Sequence, residues 1–297
     1  MKKFSMLHRS HFIQWLSLLL GVSLLLGCSL VRVGYNHGNS LVYWWADAYI
    51  DFDAGQQPWV KNDIDSLLQW HRKTQLPQYA QFLGQVQHQM QGPLSRTDLQ
   101  ADFDQIEHYT QALLLKATPE LTDLALALHE TQLTQLAKKF KANNDEFIQE
   151  HLHDSIEKQQ KRRYKKVLKE AQSWFGGMSN AQEEQIRQWS DARPLQYDIW
   201  LEERMRRQQK MLTLLHHLHE DKPNRDTAMM MVHDFIATSF EHHSGPANQA
   251  YFDAYNETST LMVLGIVNQT TPQQKALAAK KLQGWIDDCH FLAAQDG

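Results

Sequence analysis

Apolar positions along this chain first run together and then separate into stripes. Phe12 to Leu26 is an almost unbroken apolar run, preceded by Lys2, Lys3 and Arg9 with no acid among them. From residue 39 onward, apolar residues instead recur every three or four positions, the signature of one buried face per helix. Val42, Trp45 and Tyr49 mark a helix over 41–51, and Val60, Ile64, Leu67 and Leu68 the next. Pro77 breaks or kinks that second helix before a segment over 79–90, which Gly92-Pro93 closes. Leu99, Phe103 and Ile106 carry a helix to Lys116, and Thr118-Pro119 starts another through Phe140. The longest expected helix runs from Asn143 or Asn144 to Phe175, where Gly176-Gly177 stops it; at 1.5 Å per residue it would reach roughly 45 to 50 Å. A short helix over 179–192, a long one over 195–220 and three more separated by Pro223, Pro246 and Pro272 complete the chain. All 8 prolines fall at junctions, and strand-helix alternation is not evident. Ser29 to Tyr35 is the one segment whose alternation, Val31, Val33 and Tyr35 against Arg32 and Gly34, suggests an extended leader. The expected fold is all-α, an elongated multi-helix bundle forming a single domain over 39–297.

The opening apolar run changes what the bundle is attached to. A basic start, an apolar stretch of about 7 to 15 residues and small residues at a cleavage point make an export signal. Phe12–Leu26 is shorter than the roughly 20 apolar residues of a membrane-spanning helix. The run ends Leu25-Leu26-Gly27-Cys28, which resembles the lipobox of bacterial lipoproteins. That resemblance implies a signal peptide over 1–27, cleavage between Gly27 and Cys28, and a diacylglyceryl thioether plus an N-terminal acyl chain (palmitate) on Cys28. Residues 28–38 then form the lipidated tether. An ordinary secretory signal with a chance cysteine, or an uncleaved anchor, are the alternatives.

Charge and cysteine content fit an exported chain. The formal charge is -4, and since 1–27 carries three bases and no acid, the remaining chain stands at -7. An acidic body argues against nucleic-acid binding. With Cys28 acylated, Cys289 has no partner for an internal disulfide, and its place on the stripe Ala278, Leu282, Trp285, Cys289, Leu292 reads as a buried structural thiol.

Candidate chemistry is sparse. Asp47 and Asp51, four apart near Tyr49, could share a helix face as a carboxylate pair; solvated or structural roles are the competing reading. Trp44 and Trp45 point about 100° apart on a helix, so one can enter the core while the other meets a membrane interface or ligand. Glu150 and His153 make one Glu-x-x-His, where a di-metal bundle needs two, so no metal is assigned. Glu202 and Glu203 beside Arg204, Arg206 and Arg207 read as pairs within one helix. The densest charge run, Lys158, Lys161, Arg162, Arg163, Lys165, Lys166 and Lys169, reads as a solvated helix face or as a surface for an anionic lipid headgroup or acidic partner. No nucleophile elbow, phosphate loop or zinc-protease motif occurs, so no catalytic residue and no cofactor beyond the lipid on Cys28 is expected.

Two resemblances remain. Ser179/Gln182 and Thr271/Gln274, with Ser95/Asp98 as a looser copy, have capping-box spacing and are similar to the Leu-Thr-x-x-Gln motif of small periplasmic helical chaperones, without its leading Leu. More broadly, the lipobox, Gly34-Tyr35-Asn36, Tyr43-Trp44-Trp45, Trp70-His71-Arg72, Leu76-Pro77-Gln78-Tyr79, Phe140 to Asn144 and Trp200 to Arg204 resemble an uncharacterised family of proteobacterial helical lipoproteins. The resemblance implies a Gram-negative envelope, and Ser29 after the cysteine implies the periplasmic face of the outer membrane. It carries no activity with it. The expected role is therefore a non-enzymatic binding, scaffold or chaperone-like module whose partners are the membrane and an envelope protein, lipid or glycan. A glycan- or lipid-acting hydrolase or transferase is the alternative.

Overall fold

Helical periodicity over nearly the whole chain should give helices packed on helices, and the computed structural model, which describes residues 29–239 and 245–295, is all-α with no strand among the described residues. In order, these are α1 (Ser29–Asn36), α2 (Gly38–Ile50), α3 (Gln56–Trp70), α4 (Leu76–Gln89), α5 (Arg96–Lys116), α6 (Thr118–Ala127) and α7 (Glu130–His151). There follow α8 (Ile156–Phe175), α9 (Asn180–Ala192), α10 (Tyr197–Asp221), α11 (Arg225–Ser239), α12 (Gly245–Asn268) and α13 (Pro272–Ala294).

Three expected boundaries are corrected. The leader is helix α1, not extended: Val31 and Tyr35 are four apart as well as alternating, and as a helix they face the body together while Arg32 reaches Asp288. The helix expected from Thr118 through Phe140 breaks at Leu128-His129, because Gln132 Oε1 reaches back to accept from His129 N–H at 3.0 Å and caps a new start. The long helix expected from Asn143 to Phe175 breaks after His151; the Ser155 side chain caps Lys158 N–H and begins α8 afresh. Before Pro77 the chain also neither breaks nor bends into a loop. A π-helical turn, His71–Gln75, carries α3 into α4, and Pro77 sits in the first turn of α4, where a missing N–H costs nothing.

Packing gathers three apolar clusters. Ile186, Ala278, Leu282, Phe175 and Ile266 centre the first, between α8, α9, α12, α13 and the end of α4. Leu218, Ala228, Val232 and Ile236 centre the second, where α6, α10 and α11 meet. Tyr43, Phe52 and Val60 make the third, under α2 and α3. Helix α5 joins the first two, with Leu99 in one and Leu114 and Leu115 in the other. Helix α13 lies along α4 and also meets α8 and α1.

Paired glutamine clasps fix helix starts to one another. Ser179 and Gln182 cap α9, Thr271 and Gln274 cap α13, and the two glutamine amides bond each other at 2.8 and 3.2 Å. Each amide also donates to a distant carbonyl, Gln182 to Gln269 O and Gln274 to Gly177 O. A second clasp joins Gln56 at the start of α3 to Gln132 at the start of α7, at 3.1 and 2.6 Å. The capping boxes read from the sequence thus form, and two of them interlock.

Candidate functional site

Two surfaces stand out, and they lie on different helices. The first follows Cys28 directly; Cys28, Gly27 and the rest of the signal segment lie outside the described residues. In α2, Tyr43, Ala46 and Ile50 turn inward. Leu41, Trp44 and Trp45, spaced three and four apart, therefore share the outward face. Trp44 and Trp45 are 65% and 66% exposed, so the expectation that one of them is core is corrected: Tyr43 takes that place. Val33 of α1 and Val42 are also exposed, whereas Val31 lines the groove between α1 and the body. Five outward, exposed large apolar residues within thirteen positions, 33–45, depart from the scattered pattern of ordinary surfaces.

Asp47 and Asp51, the carboxylates suggested as a pair, both sit at the end of α2. Asp47 accepts a hydrogen bond from Phe52 N–H at 3.0 Å, and Asp51 lies past the end of α2 with φ of 61°. Both therefore shape the exit of α2. On α1 and the π-helical turn, His71 Nδ1 lies 2.8 Å from Tyr35 Oη, and Arg72 donates to Asn36 and Gln295. Burial pushes the Tyr35 phenol up to about 12 and lowers His71. Tyr35, Tyr79, Tyr109 and Trp285 line an apolar groove of about 440 Å³ beside α1, together with Asp288 and Cys289. Cys289 is half-buried there, and burial raises its thiol, in keeping with a structural role.

The second feature is a larger cleft, about 790 Å³, whose wall is helix α8. It separates the expected basic surface. Arg162, Arg163 and Lys166 line the cleft, whereas Lys161 and Lys165 are exposed and do not. Arg163 is a correction: it is buried, donating to Arg193 O and Pro194 O at 3.0 Å each, because it stands one turn before Val167 and two before Ala171 on the core-facing stripe. Burial and the nearby Arg193 lower its pKa. Arg193 is buried too, with its guanidinium 5.4 Å from the Tyr255 ring centroid. At the same end His151 stacks on Tyr197 at 4.7 Å, and burial with the neighbouring Arg162 lowers its pKa, favouring neutral imidazole. Farther along α8 the lining turns apolar, with Val167, Ala171, Trp174 and Phe175 facing Met262, Val263 and Ile266 of α12.

Sequence reasoning missed Arg193, Tyr197, Trp200 and Tyr255 as cleft residues; they come from the end of α9, the first turn of α10 and α12. Their signal was weak, one basic residue before a proline and three isolated aromatics. The single Glu-x-x-His is undone by the end of α7 at His151, which leaves Glu150 and His153 on different elements. Among the described residues no group of three or more His, Cys, Asp or Glu converges as a metal site would. None of the described helices is long and apolar enough to cross a membrane. Of the pairs expected within α10, those of Glu203 form: its buried carboxylate receives Arg206 and Arg207, which hold it down at about 2.

Residues 48–234 match the model of a family of unknown function (DUF6279), and the chain belongs to that family. The matched stretch spans the end of α2 through most of α11; α1, α12 and α13 lie beyond it. No curated protein and no solved structure gives a match.

Proposed function

We propose that this member of an uncharacterised helical family is a non-enzymatic lipoprotein of the Gram-negative envelope, anchored by acylated Cys28 and seated on its membrane through α1 and α2. The observation that carries the reading is the exposed apolar face Leu41, Trp44 and Trp45, with Val33 and Val42 also exposed, on the two helices that follow the lipobox. Tryptophan favours the membrane–water interface, where an apolar ring and one N–H can both be satisfied. The acyl chains would supply the holding, at about 0.8 kcal/mol per buried methylene, and the aromatic face would set the orientation. Ser29 after the lipid-bearing cysteine favours the periplasmic face of the outer membrane. A hydrolase built on Asp47 and Asp51 has less support, since Asp47 is engaged with Phe52 N–H.

The test has two arms. Mass spectrometry of the mature N-terminus should find a lipidated Cys28, and an unmodified residue there would refute the anchor. Trp44→Ala with Trp45→Ala should weaken association of the Cys28→Ala chain with lipid vesicles by at least about tenfold, since each buried ring contributes about 2 kcal/mol. Unchanged partitioning would refute the seat.

A further inference from the structure

The cleft beside α8 is polar at one end and apolar at the other. Arg162, Arg163 and Arg193 gather at one end, and Trp174 and Phe175 line the other. Twelve residues of helix separate Arg162 from Trp174, about 18 Å at 1.5 Å per residue. Helix α12 follows the same gradient, from Tyr255 beside Arg193 to Met262, Val263 and Ile266.

Charge at the polar end is unbalanced within the cleft. Four cations line it, Arg162, Arg163, Lys166 and Arg193, against one carboxylate, Glu170. Arg162 has a partner in Asp154, and Asp191 offsets part of the charge on Arg163. Yet Arg163 and Arg193, each only 9% exposed, have Nε–H groups buried with no acceptor among the described residues. Arg163 already gives its two Nη groups to Pro194 O and Arg193 O at 3.0 Å, so it is the excess positive charge of the buried pair, with both Nε–H groups unmet, that an anion in the cleft would offset. Guanidinium groups suit carboxylate and phosphate oxygens, which can take two donors at once. The volume also falls within the roughly 300–1,000 Å³ of small-ligand sites.

We propose that this cleft binds a single acyl chain bearing an anionic head, carboxylate or phosphate: the head at Arg163 and Arg193, the chain along Val167, Trp174 and Val263. The site does not involve α1 or α2, so it is independent of the membrane seat.

Photocrosslinking of the full lipid-anchored chain in phosphatidylcholine nanodiscs tests it, with diazirine-bearing stearate, lysophosphatidate and octadecanol as probes and peptide mapping as readout. One or both anionic probes should label α8 and α12 at least about tenfold more than the alcohol. Preference for stearate assigns a fatty acid, and preference for lysophosphatidate assigns a phospholipid-derived ligand. Lys166→Glu, a change at an exposed position on the cleft lining, should lower that labelling about tenfold, and Val263→Trp should abolish it by filling the chain path. Labelling of 33–45, where the bilayer itself would be met, should not change with either substitution. Equal labelling by the alcohol, absence of label on α8 and α12, or indifference to Lys166→Glu would each overturn the proposal, whatever becomes of the label on 33–45.

Discussion

Removal of the Arg32 guanidinium should loosen α1 from the body. Arg32 Nε lies 2.5 Å from Asp288 Oδ1, and Asp288 is 1% exposed with Oδ2 unpartnered among the described residues. Stranding one member of a buried ion pair costs about 3–5 kcal/mol. Two features reduce that here. Arg32 is 30% exposed, so solvent already screens the pair. Helix α1 packs chiefly on α13 and α2, so it can also swing away and let Asp288 hydrate, which limits the loss to its own docking energy. Arg32→Met keeps an apolar stem over Phe291 but forfeits the cation–ring contact at 4.1 Å, about 0.5–1 kcal/mol. The expected net loss is about 2–3 kcal/mol, and Arg32→Met with Asp288→Leu should recover most of it, since both charges are then gone. Urea unfolding of the Cys28→Ala chain measures the energy. Cys289, which that background leaves as the sole thiol, lines the groove together with Val31 and Tyr35 of α1, so its alkylation should accelerate in Arg32→Met. A loss below about 0.5 kcal/mol together with an unchanged alkylation rate would refute the reasoning.

Three further outcomes follow from local geometry. A Cβ on Gly265 would stand 2.6 Å from Trp189 Cε2 whereas one on Gly84 meets nothing within 4 Å. Gly265→Ala should therefore cost about 1 kcal/mol or more net of helix propensity and Gly84→Ala should gain about 0.5–1, both read by thermal melting; a gain at Gly265 would contradict the packing. Glu203, held at about 2, binds its proton less readily folded than unfolded. Its contribution is therefore full above the ordinary carboxylate pKa and is lost as pH falls toward 2, so Glu203→Gln should flatten the acid limb of the stability–pH curve, and an unaltered limb would exclude the pairing. Gln274→Leu removes the acceptor of Thr271 N–H and the donor to Gly177 O, at 2.9 and 2.7 Å, and should cost about 2–3 kcal/mol by urea unfolding; an effect no larger than that of an exposed glutamine such as Gln273 would deny the clasp.

Helix content was legible because stripes at three and four residues are a local property, and so were the caps at Ser179 and Thr271, whose residues lie within one turn. The breaks at Leu128-His129 and Leu152–Ser155 were not, since the apolar stripes run on across both and only the caps interrupt them. Pairing of Gln182 with Gln274 spans 92 residues, and no spacing rule reaches that far. Arg163 was hidden differently. It sits among seven cations that look alike in sequence, and only its register with Val167 and Ala171 marks it as inward. The outward tryptophans reversed the usual expectation for the same reason: identity predicts burial, but register decides it, and Tyr43 held the inward position.

Helix α13 connects the features that the sequence kept apart. Its Asp288 holds Arg32 of α1, its Trp285 and Leu292 line the groove beside that helix, and its Leu282 lines the cleft beside α8. The clasp through Gln274 fixes the start of α13 to α9, whose last turn leads into Arg193. A chain anchored at Cys28 would then have no slack between lipid and body, because α1 begins at Ser29 and is ion-paired to α13 at its fourth residue. Under the proposed anchoring, such a body would be oriented by its first two helices and held close to the membrane. That geometry suits a module that meets its ligand at the bilayer surface better than one that extends across the periplasm.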